Sequence, residues 1–380
     1  MERADVVIVG GGVLGASIAY HLATKGIRDV VVLERDRLGS GSTTRNAGGV
    51  RLQFSTEINV RLSQRSMPHL ERFAEEMGID PDLHQTGYLF LITADKDVAA
   101  FERSLALWAR LGVPARKLDR DAVHELFPEL RVDDVRFATF CAKDGYLDPS
   151  SLLNGYVARA REKGVRFFES RAATSIDRSA GHVTAVGTAS GAIATETIVN
   201  AAGPWAGPVG KLAGVDLPIT PLRRQIFVTD PLPHLDHDFP LTVEMATSFY
   251  FHRESGGVLM GMADPADKPG FDDSVNWDFL PAIVERALER MPPLEKANVK
   301  TGWAGFYEDT PDKHPIIGRI AAVPGFISAA GFSGHGLMHA PAAGEAIAEL
   351  IVDGKTTLDL SALSYERFAK GELIREHNVI

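Results

Sequence analysis

The 380-residue sequence predicts an α/β (α+β) fold: a Rossmann-like dinucleotide-binding domain with an inserted antiparallel meander, and a second domain built on a mixed sheet. Three observations predict it. The apolar run Val6–Val9 passes directly into Gly10-Gly11-Gly12-Val13-Leu14-Gly15, then into a helical stretch and a second β-branched run, Val30–Leu33. Strand, glycine turn, helix and strand in that order make a parallel βαβ unit. Three alternating runs near 171–177, 182–189 and 191–199, separated by Ser179-Ala180-Gly181 and Ser190-Gly191, read as a small antiparallel meander. Runs such as Tyr88–Ile92 and Gln225–Val228, with helical stretches near 96–111 and 278–291, predict a further sheet backed by helices.

Each part of the first unit has a task. Gly10 allows the tight turn, Gly12 lets backbone approach a pyrophosphate, and Gly15 lets the helix pack closely on the strand. The helix is predicted over Ala16–Lys25 and ends at Gly26; its N-terminus faces the phosphates. Glu34 closes the second strand, nineteen residues after Gly15, where a carboxylate accepts hydrogen bonds from a ribose hydroxyl. An acid there argues against a 2′-phosphate. The expected ligand is NAD or FAD, and this pattern alone does not choose between them.

The next segment, Glu34-Arg35 followed by Gly39-Ser40-Gly41-Ser42-Thr43-Thr44-Arg45-Asn46-Ala47-Gly48-Gly49-Val50-Arg51, is rich in backbone and hydroxyl donors. With it the chain resembles the D-amino acid oxidase and sarcosine oxidase superfamily of FAD enzymes. Three later segments extend the resemblance in family order. They are Ile198-Val199-Asn200-Ala201-Ala202-Gly203-Pro204-Trp205-Ala206, Thr310-Pro311-Asp312-Lys313-His314-Pro315-Ile316-Ile317-Gly318, and Phe326-Ile327-Ser328-Ala329-Ala330-Gly331-Phe332-Ser333-Gly334-His335-Gly336. Trp303-Ala304-Gly305-Phe306-Tyr307 and Gly336-Leu337-Met338 are most similar to the β subunits of hetero-oligomeric sarcosine oxidase and L-proline dehydrogenase.

The resemblance implies FAD, held by Gly10, Gly12, Val13, Leu14, Gly15, Glu34, Arg35, Ser42, Thr43, Thr44, Arg45, Ala47, Gly48 and Gly49. Ala173, Ala201, Ala202, Gly203, Trp205, Gly305, Gly331, Gly334, His335, Gly336, Leu337 and Met338 complete that set, with Arg45 expected on the phosphates. It also implies a discontinuous FAD-binding domain of 1–84, 148–218 and 311–380, and a substrate domain of 85–147 and 219–310 covering the flavin. The residues agree with this division at Asp148-Pro149-Ser150, which opens a helix that runs to Lys163 and stops at Gly164.

Four residues are expected to carry the chemistry: Arg51, Tyr250, Tyr307 and His335. Arg51 matches the family's carboxylate-binding arginine, or serves as a fixed positive charge near the flavin. Tyr307 matches a tyrosine lining the substrate pocket, and Tyr250 is a second candidate. His335 lies in the turn that enters the last helix, whose free N–H groups and dipole favour a reduced, anionic flavin.

Departures from the family matter as much. Monomeric sarcosine oxidase links its flavin through a cysteine two positions before the tyrosine matched by Tyr307; Gly305 stands there, so the FAD is expected to be non-covalent. That enzyme's substrate-binding lysine corresponds to Met338. Its oxygen-activating lysine corresponds, by ungapped alignment of 257–261, to Leu259. The implied activity is therefore oxidation of the C–N bond of an amine or amino acid to an imine by hydride transfer to flavin N5. The substrate would be sarcosine, proline or another secondary or N-alkyl amino acid, and the enzyme a dehydrogenase or slow oxidase with an electron-accepting partner subunit. Two readings stay open beside it: a D-amino acid or 2-hydroxy acid dehydrogenase on the same fold, and a flavin-bearing subunit or assembly factor with little turnover.

The composition narrows the rest. Forty basic against fifty acidic residues, a net charge of −10, argue against a nucleic-acid partner. The single cysteine, Cys141, excludes an intrachain disulfide framework and any all-cysteine metal site. His234 and His237 near Asp236 and Asp238 read as solvated loop residues, so no metal is expected. No apolar stretch approaches the ~20 residues of a membrane span, no targeting segment is expected before Val6, and a cytoplasmic location follows as the expectation.

Overall fold

A computed structural model describes residues 2–379. A six-stranded sheet forms around the glycine turn, in the order Ile316–Arg319, Phe326–Ala330, Ile198–Asn200, Val6–Val9, Val30–Leu33, Arg166–Phe168. All pairs are parallel except the outermost, where Ile316–Arg319 runs against Phe326–Ala330. Both faces are covered, which is why the central strands are continuous apolar runs. Val6, Ile8, Val30 and Val32 face helices Val13–Thr24, Pro149–Glu162 and Gly336–Val352. Val7, Val9, Val31 and Leu33 face the meander and the short helix Ala206–Leu212. One-residue alternation thus feeds two cores from each strand.

The first helix starts at Val13, earlier than its expected start at Ala16, because the turn closes within the glycines. The helix after Asp148 is capped as expected, with the Asp148 carboxylate accepting from Ser150 N at 2.7 Å. The meander differs from expectation in two ways. Its third run breaks: Gly191–Ala194 stays in the meander, while Ile198–Asn200 crosses to the parallel sheet. The break is a local turn in which Thr197 N donates to Thr195 Oγ1 at 3.2 Å. In addition, Glu2–Arg3 pairs parallel to Gly191–Ala194 and makes the sheet four-stranded.

The second sheet has eight strands, ordered Val299–Asp309, Thr220–Thr229, Gly257–Gly261, Phe249–Glu254, Leu241–Glu244, Tyr88–Ile92, Phe137–Cys141, Arg116–Leu118. It is mixed, because Leu241–Glu244 runs parallel to Tyr88–Ile92 and the other pairs are antiparallel. Its back face (Leu89, Leu91, Phe227, Phe249, Phe251, Met260) packs on helix Leu280–Arg290 through Ile283 and Ala287. Helix Asp95–Leu111, expected behind this sheet, instead packs on the front. Phe101 meets Phe90 at 5.6 Å between ring centroids, and Trp108 Nε1 donates to the Phe54 carbonyl at 2.7 Å. The front face and the helix side of the six-stranded sheet share one apolar core.

Candidate active site

A cavity of about 640 Å³ opens between the carboxyl ends of the parallel strands and the front face of the eight-stranded sheet. Cofactor sites typically span ~300–1,000 Å³, and in open α/β sheets they lie at this end. At one end sits the glycine cradle. Gly10 has φ +114°, and a Cβ there would enter the backbone of Ala201. A Cβ on Gly12 would come within 2.9 Å of Thr43 Oγ1, so this stretch of cavity wall is bare backbone. Glu34 is pinned at the end of its strand: Oε2 accepts from Gly11 N and Oε1 from Asp36 N, both at 2.9 Å.

Two helix N-termini face the cavity. Helix Val13–Thr24 has no acidic residue in its first turn and no side-chain cap; neither has helix Gly336–Val352, whose N-cap is His335. Val13 N donates to Thr43 Oγ1 at 3.1 Å, but among the described residues Leu14 N and Gly15 N at one terminus and Gly336 N and Leu337 N at the other have no protein acceptor, an arrangement that takes anions. One suits a pyrophosphate and the other a negative ring edge, so the residues present fit FAD. The second turn is held open by positive φ at Gly331, Ser333 and Gly334. A Cβ on Gly334 would run into the Tyr307 ring, which lies directly on that backbone.

Most of the expected residues meet here. Gly10, Gly12, Val13, Leu14, Glu34, Arg35, Ser42, Thr43, Arg45, Ala47, Gly49, Ala173, Ala201, Ala202, Gly203, Trp205 and Gly305 line the cavity, as do Gly334 to Met338, Arg51, Tyr250 and Tyr307. Gly15, Thr44, Gly48 and Gly331 do not line it and instead shape its walls. Gly15 brings the first helix onto the Gly10 carbonyl, and the Thr44 hydroxyl donates to Gly39 O at 2.9 Å. Gly48 (φ +70°) passes against Leu147, and Gly331 N donates to Glu308 at 3.0 Å. Arg45, expected on phosphates, reaches Asp273 at 2.5 Å and the Ala304 carbonyl at 3.2 Å. Leu259 is buried in its strand and does not reach the cavity.

The four residues assigned to chemistry gather at the end formed by Gly334 and His335. Register puts Tyr250, Ile226 and Gly261 on one face, and Gly261 leaves the space that the Tyr250 ring fills. Burial raises the phenol pKa of Tyr250, Tyr307 and neighbouring Tyr88, so all three are neutral O–H groups. His335 is buried with neither ring nitrogen bonded among the described residues. Burial first, then the neighbouring His339, holds its pKa well below the ordinary histidine value, leaving a neutral imidazole. Arg51 is 5% exposed and stacks 3.8 Å over Phe54. Its Nη1 donates to Gln53 O at 2.8 Å and its Nη2 to the C-terminal tail at Asn378 O, at 2.5 Å. Asp144, pushed up to about 7 by burial, braces this segment by accepting from Leu52 N and Gln53 Nε2.

Several lining residues were not anticipated from the sequence: Tyr88, Arg224, Phe271, Asp273, Glu308 and Val379. Arg224 had a signal, since it stands two residues before Ile226 in Thr220–Thr229 and so shares its face. The loop after Gly261 had none. It lays Phe271 on Trp205, with ring centroids 5.3 Å apart and planes at 14°, while Arg35 stacks on Trp205 at 3.8 Å.

Comparison with known proteins gives a consistent picture. Residues 5–350 match the DAO family, described as FAD dependent oxidoreductase. The chain is 35% identical to FAD-dependent oxidoreductase domain-containing protein 1 of Xenopus laevis, across 100% of this chain and 85% of that protein. It is 32% identical to mitochondrial dimethylglycine dehydrogenase of Rattus norvegicus, across 97% of this chain but only 45% of that protein. The crystal structure of L-proline dehydrogenase from P. horikoshii superposes with a TM-score of 0.92 at 34% identity, covering 98% of this chain and 99% of that one.

Proposed function

The chain belongs to the DAO family of FAD-dependent oxidoreductases, and on that premise we propose that it oxidises the C–N bond of a secondary or N-alkyl amino acid, such as sarcosine or proline, to the imine. One observation carries the reading. The cavity that begins at the glycine cradle ends in a chamber walled by three neutral phenols, a neutral imidazole and the guanidinium groups of Arg51 and Arg224. Bound FAD supplies the hydride acceptor.

The chain's own residues do the rest. In this reading 1–84, 148–218 and 311–380 form the cofactor-binding domain, with Glu34 on the ribose and the first helix N-terminus on the pyrophosphate. The N-terminus at Gly336 would favour negative charge on the flavin ring. Residues 85–147 and 219–310 supply the substrate wall. The C–H bond gives up hydride only when the amine lone pair is free. Nearby guanidinium charge disfavours an ammonium group, and neutral His335 accepts a hydrogen bond from the amine. The phenols of Tyr250 and Tyr307 donate to the substrate. The two electrons taken from the substrate would leave to another acceptor, such as a partner subunit. The four cations lining the cavity, Arg35, Arg45, Arg51 and Arg224, are all arginines, and among the described residues no lysine lines it to favour electron transfer to oxygen.

Anaerobic mixing with sarcosine, L-proline, D-amino acids, 2-hydroxy acids and uncharged amines tests this, followed by admission of air. Secondary amino acids are expected to bleach the visible flavin band, with slow return of colour in air. Bleaching by 2-hydroxy acids or D-amino acids instead moves the substrate class. Fast recolouring overturns the dehydrogenase reading, and no bleaching by any donor favours a subunit with little turnover.

The FAD is proposed to be non-covalent, because Gly305 stands at the family's linkage position and Cys141 lies outside the cavity. Acid precipitation of the holoprotein is expected to leave a colourless pellet and a yellow supernatant; a pellet that stays yellow sinks the assignment. Among the described residues no helix is long and apolar enough to cross a membrane. A single buried thiol fits a reducing compartment, and we place the chain in the cytoplasm.

A further inference from the structure

Four arginines line the cavity, and their partners differ. Arg35 pairs with Asp36 at 2.9 Å, and Arg45 pairs with Asp273 at 2.5 Å. Among the described residues Arg51 has no carboxylate, but two carbonyls and the Phe54 ring occupy its guanidinium. Arg224 is the exception. Among the described residues it has no carboxylate within ion-pair distance, and its single hydrogen bond runs from Nη1 to the Arg223 carbonyl at 2.9 Å. Its Nε is buried without a partner. A guanidinium offers five N–H donors, and the edge bearing Nε and Nη2 is the fork that meets a carboxylate with two parallel bonds. On Arg224 that edge makes no hydrogen bond among the described residues; Nε is covered by the wall, and Nη2 is the donor left to a ligand.

Position agrees with charge. Arg224 lies opposite Gly305 in the strand register, and its guanidinium carbon sits 4.8 Å from the centre of the Tyr307 ring. Tyr307 in turn rests on Gly334, beside His335. Arg224 is therefore at the substrate end of the cavity, away from the glycine cradle. A cation in a partly desolvated wall, with no anion of its own, is costly unless a ligand supplies one.

We infer that Arg224, rather than Arg51, is the anchor for the substrate's carboxylate, and that this contact restricts the site to amines bearing one. The inference rests on the reading above for its amine, but not for its anion. Arg51 then acts as a positioning residue, tying the C-terminal tail against the chamber.

The test uses FAD-loaded protein and two redox-inert probes, acetate and its neutral counterpart acetamide, followed through the flavin spectrum. Acetate is expected to perturb the wild-type spectrum, and Arg224→Gln to weaken it roughly 100-fold, the scale for losing one partner of a desolvated charge pair. Acetamide should bind weakly and equally to both. Arg224→Lys keeps the charge but not the fork, so it should weaken acetate by about 10-fold. That variant reads the same point should Arg224→Gln fail to retain FAD. Equal acetate affinity in the Arg224 variants overturns the inference. So does a loss confined to Arg51→Gln, or wild-type protein that binds acetamide as well as acetate. If acetate behaves as expected while no amine bleaches the flavin, the anchor stands and the amine reading falls. If amines bleach the flavin while Arg224→Gln leaves acetate affinity unchanged, the anchor alone falls.

Discussion

Gly15→Ala is expected to yield protein without flavin and with a lowered melting temperature. A Cβ at this position would overlap the Gly10 carbonyl oxygen and come within 3.4 Å of Ile8 Cγ2. Neither neighbour can yield. Gly10 is fixed at φ +114° against the Ala201 backbone, and its N–H donates to Leu33 O at 2.9 Å. The first helix must therefore move, and its far side is equally tight. Ser17 Oγ donates to Ala340 O at 2.8 Å, and Gly344 is packed so closely on Ser17 that a Cβ there would overlap it. One methyl group thus displaces both helices whose N-termini face the cavity. Overpacking of this kind costs about 1–3 kcal/mol, and the cofactor loses its cradle as well. Absorbance of the purified variant, and its melting temperature with and without added FAD, check the result. A yellow variant with wild-type melting would show that the turn is softer than its contacts imply.

That cradle was legible because its logic is local. Strand, glycines, helix and terminal acid occupy Val6 to Glu34 in unbroken order, and backbone sterics set the meaning of each glycine. Tyr88–Ile92 was equally plain, five apolar residues after Gly87. What escaped depends on partners distant in sequence. Glu2–Arg3 is a strand only because Gly191–Ala194 offers an edge. Asp95–Leu111 is helical by pattern, but its packing on the front of the sheet is decided by Phe54 and Phe90. The occupation of Arg51 by the Asn378 carbonyl joins residues more than three hundred positions apart. Arg224 was not anticipated, although strand alternation sets it on the face of Ile226. Its lack of an anion among the described residues becomes apparent only when the partners of Arg35, Arg45 and Arg51 are in view.

Arg367→Met is expected to destabilise the fold by about 3–5 kcal/mol, the cost of leaving a buried charge without its partner, and the loss should shrink in acid. Arg367 and Asp312 are 1% and 0% exposed and form a two-pronged pair, Nε to Oδ2 at 2.8 Å and Nη2 to Oδ1 at 3.0 Å. The same carboxylate accepts from Thr310 Oγ1 and His314 N, and Thr310 N donates to Ser333 Oγ, next to the turn that enters the last helix. Burial alone would raise the pKa of Asp312, but the guanidinium overrides it and holds the acid below its ordinary value. In wild type the pair therefore stabilises the fold above the ordinary carboxylate range, and that stability fades only as pH falls below it. Without Arg367 the shift reverses: burial raises Asp312, and ionising it costs stability as pH rises. The difference between the proteins is then largest near neutrality and smaller near pH 4.5, where the variant's Asp312 is protonated. Urea unfolding of both proteins at the two pH values measures it. Buried groups remote from the pair titrate alike in both proteins and cancel; His314, held down by burial and further by the Arg367 charge, is released upward in the variant, which shrinks the loss in acid in the same direction. A loss of the same size at both pH values would mean that the deficit is packing around the methionine rather than an orphaned charge.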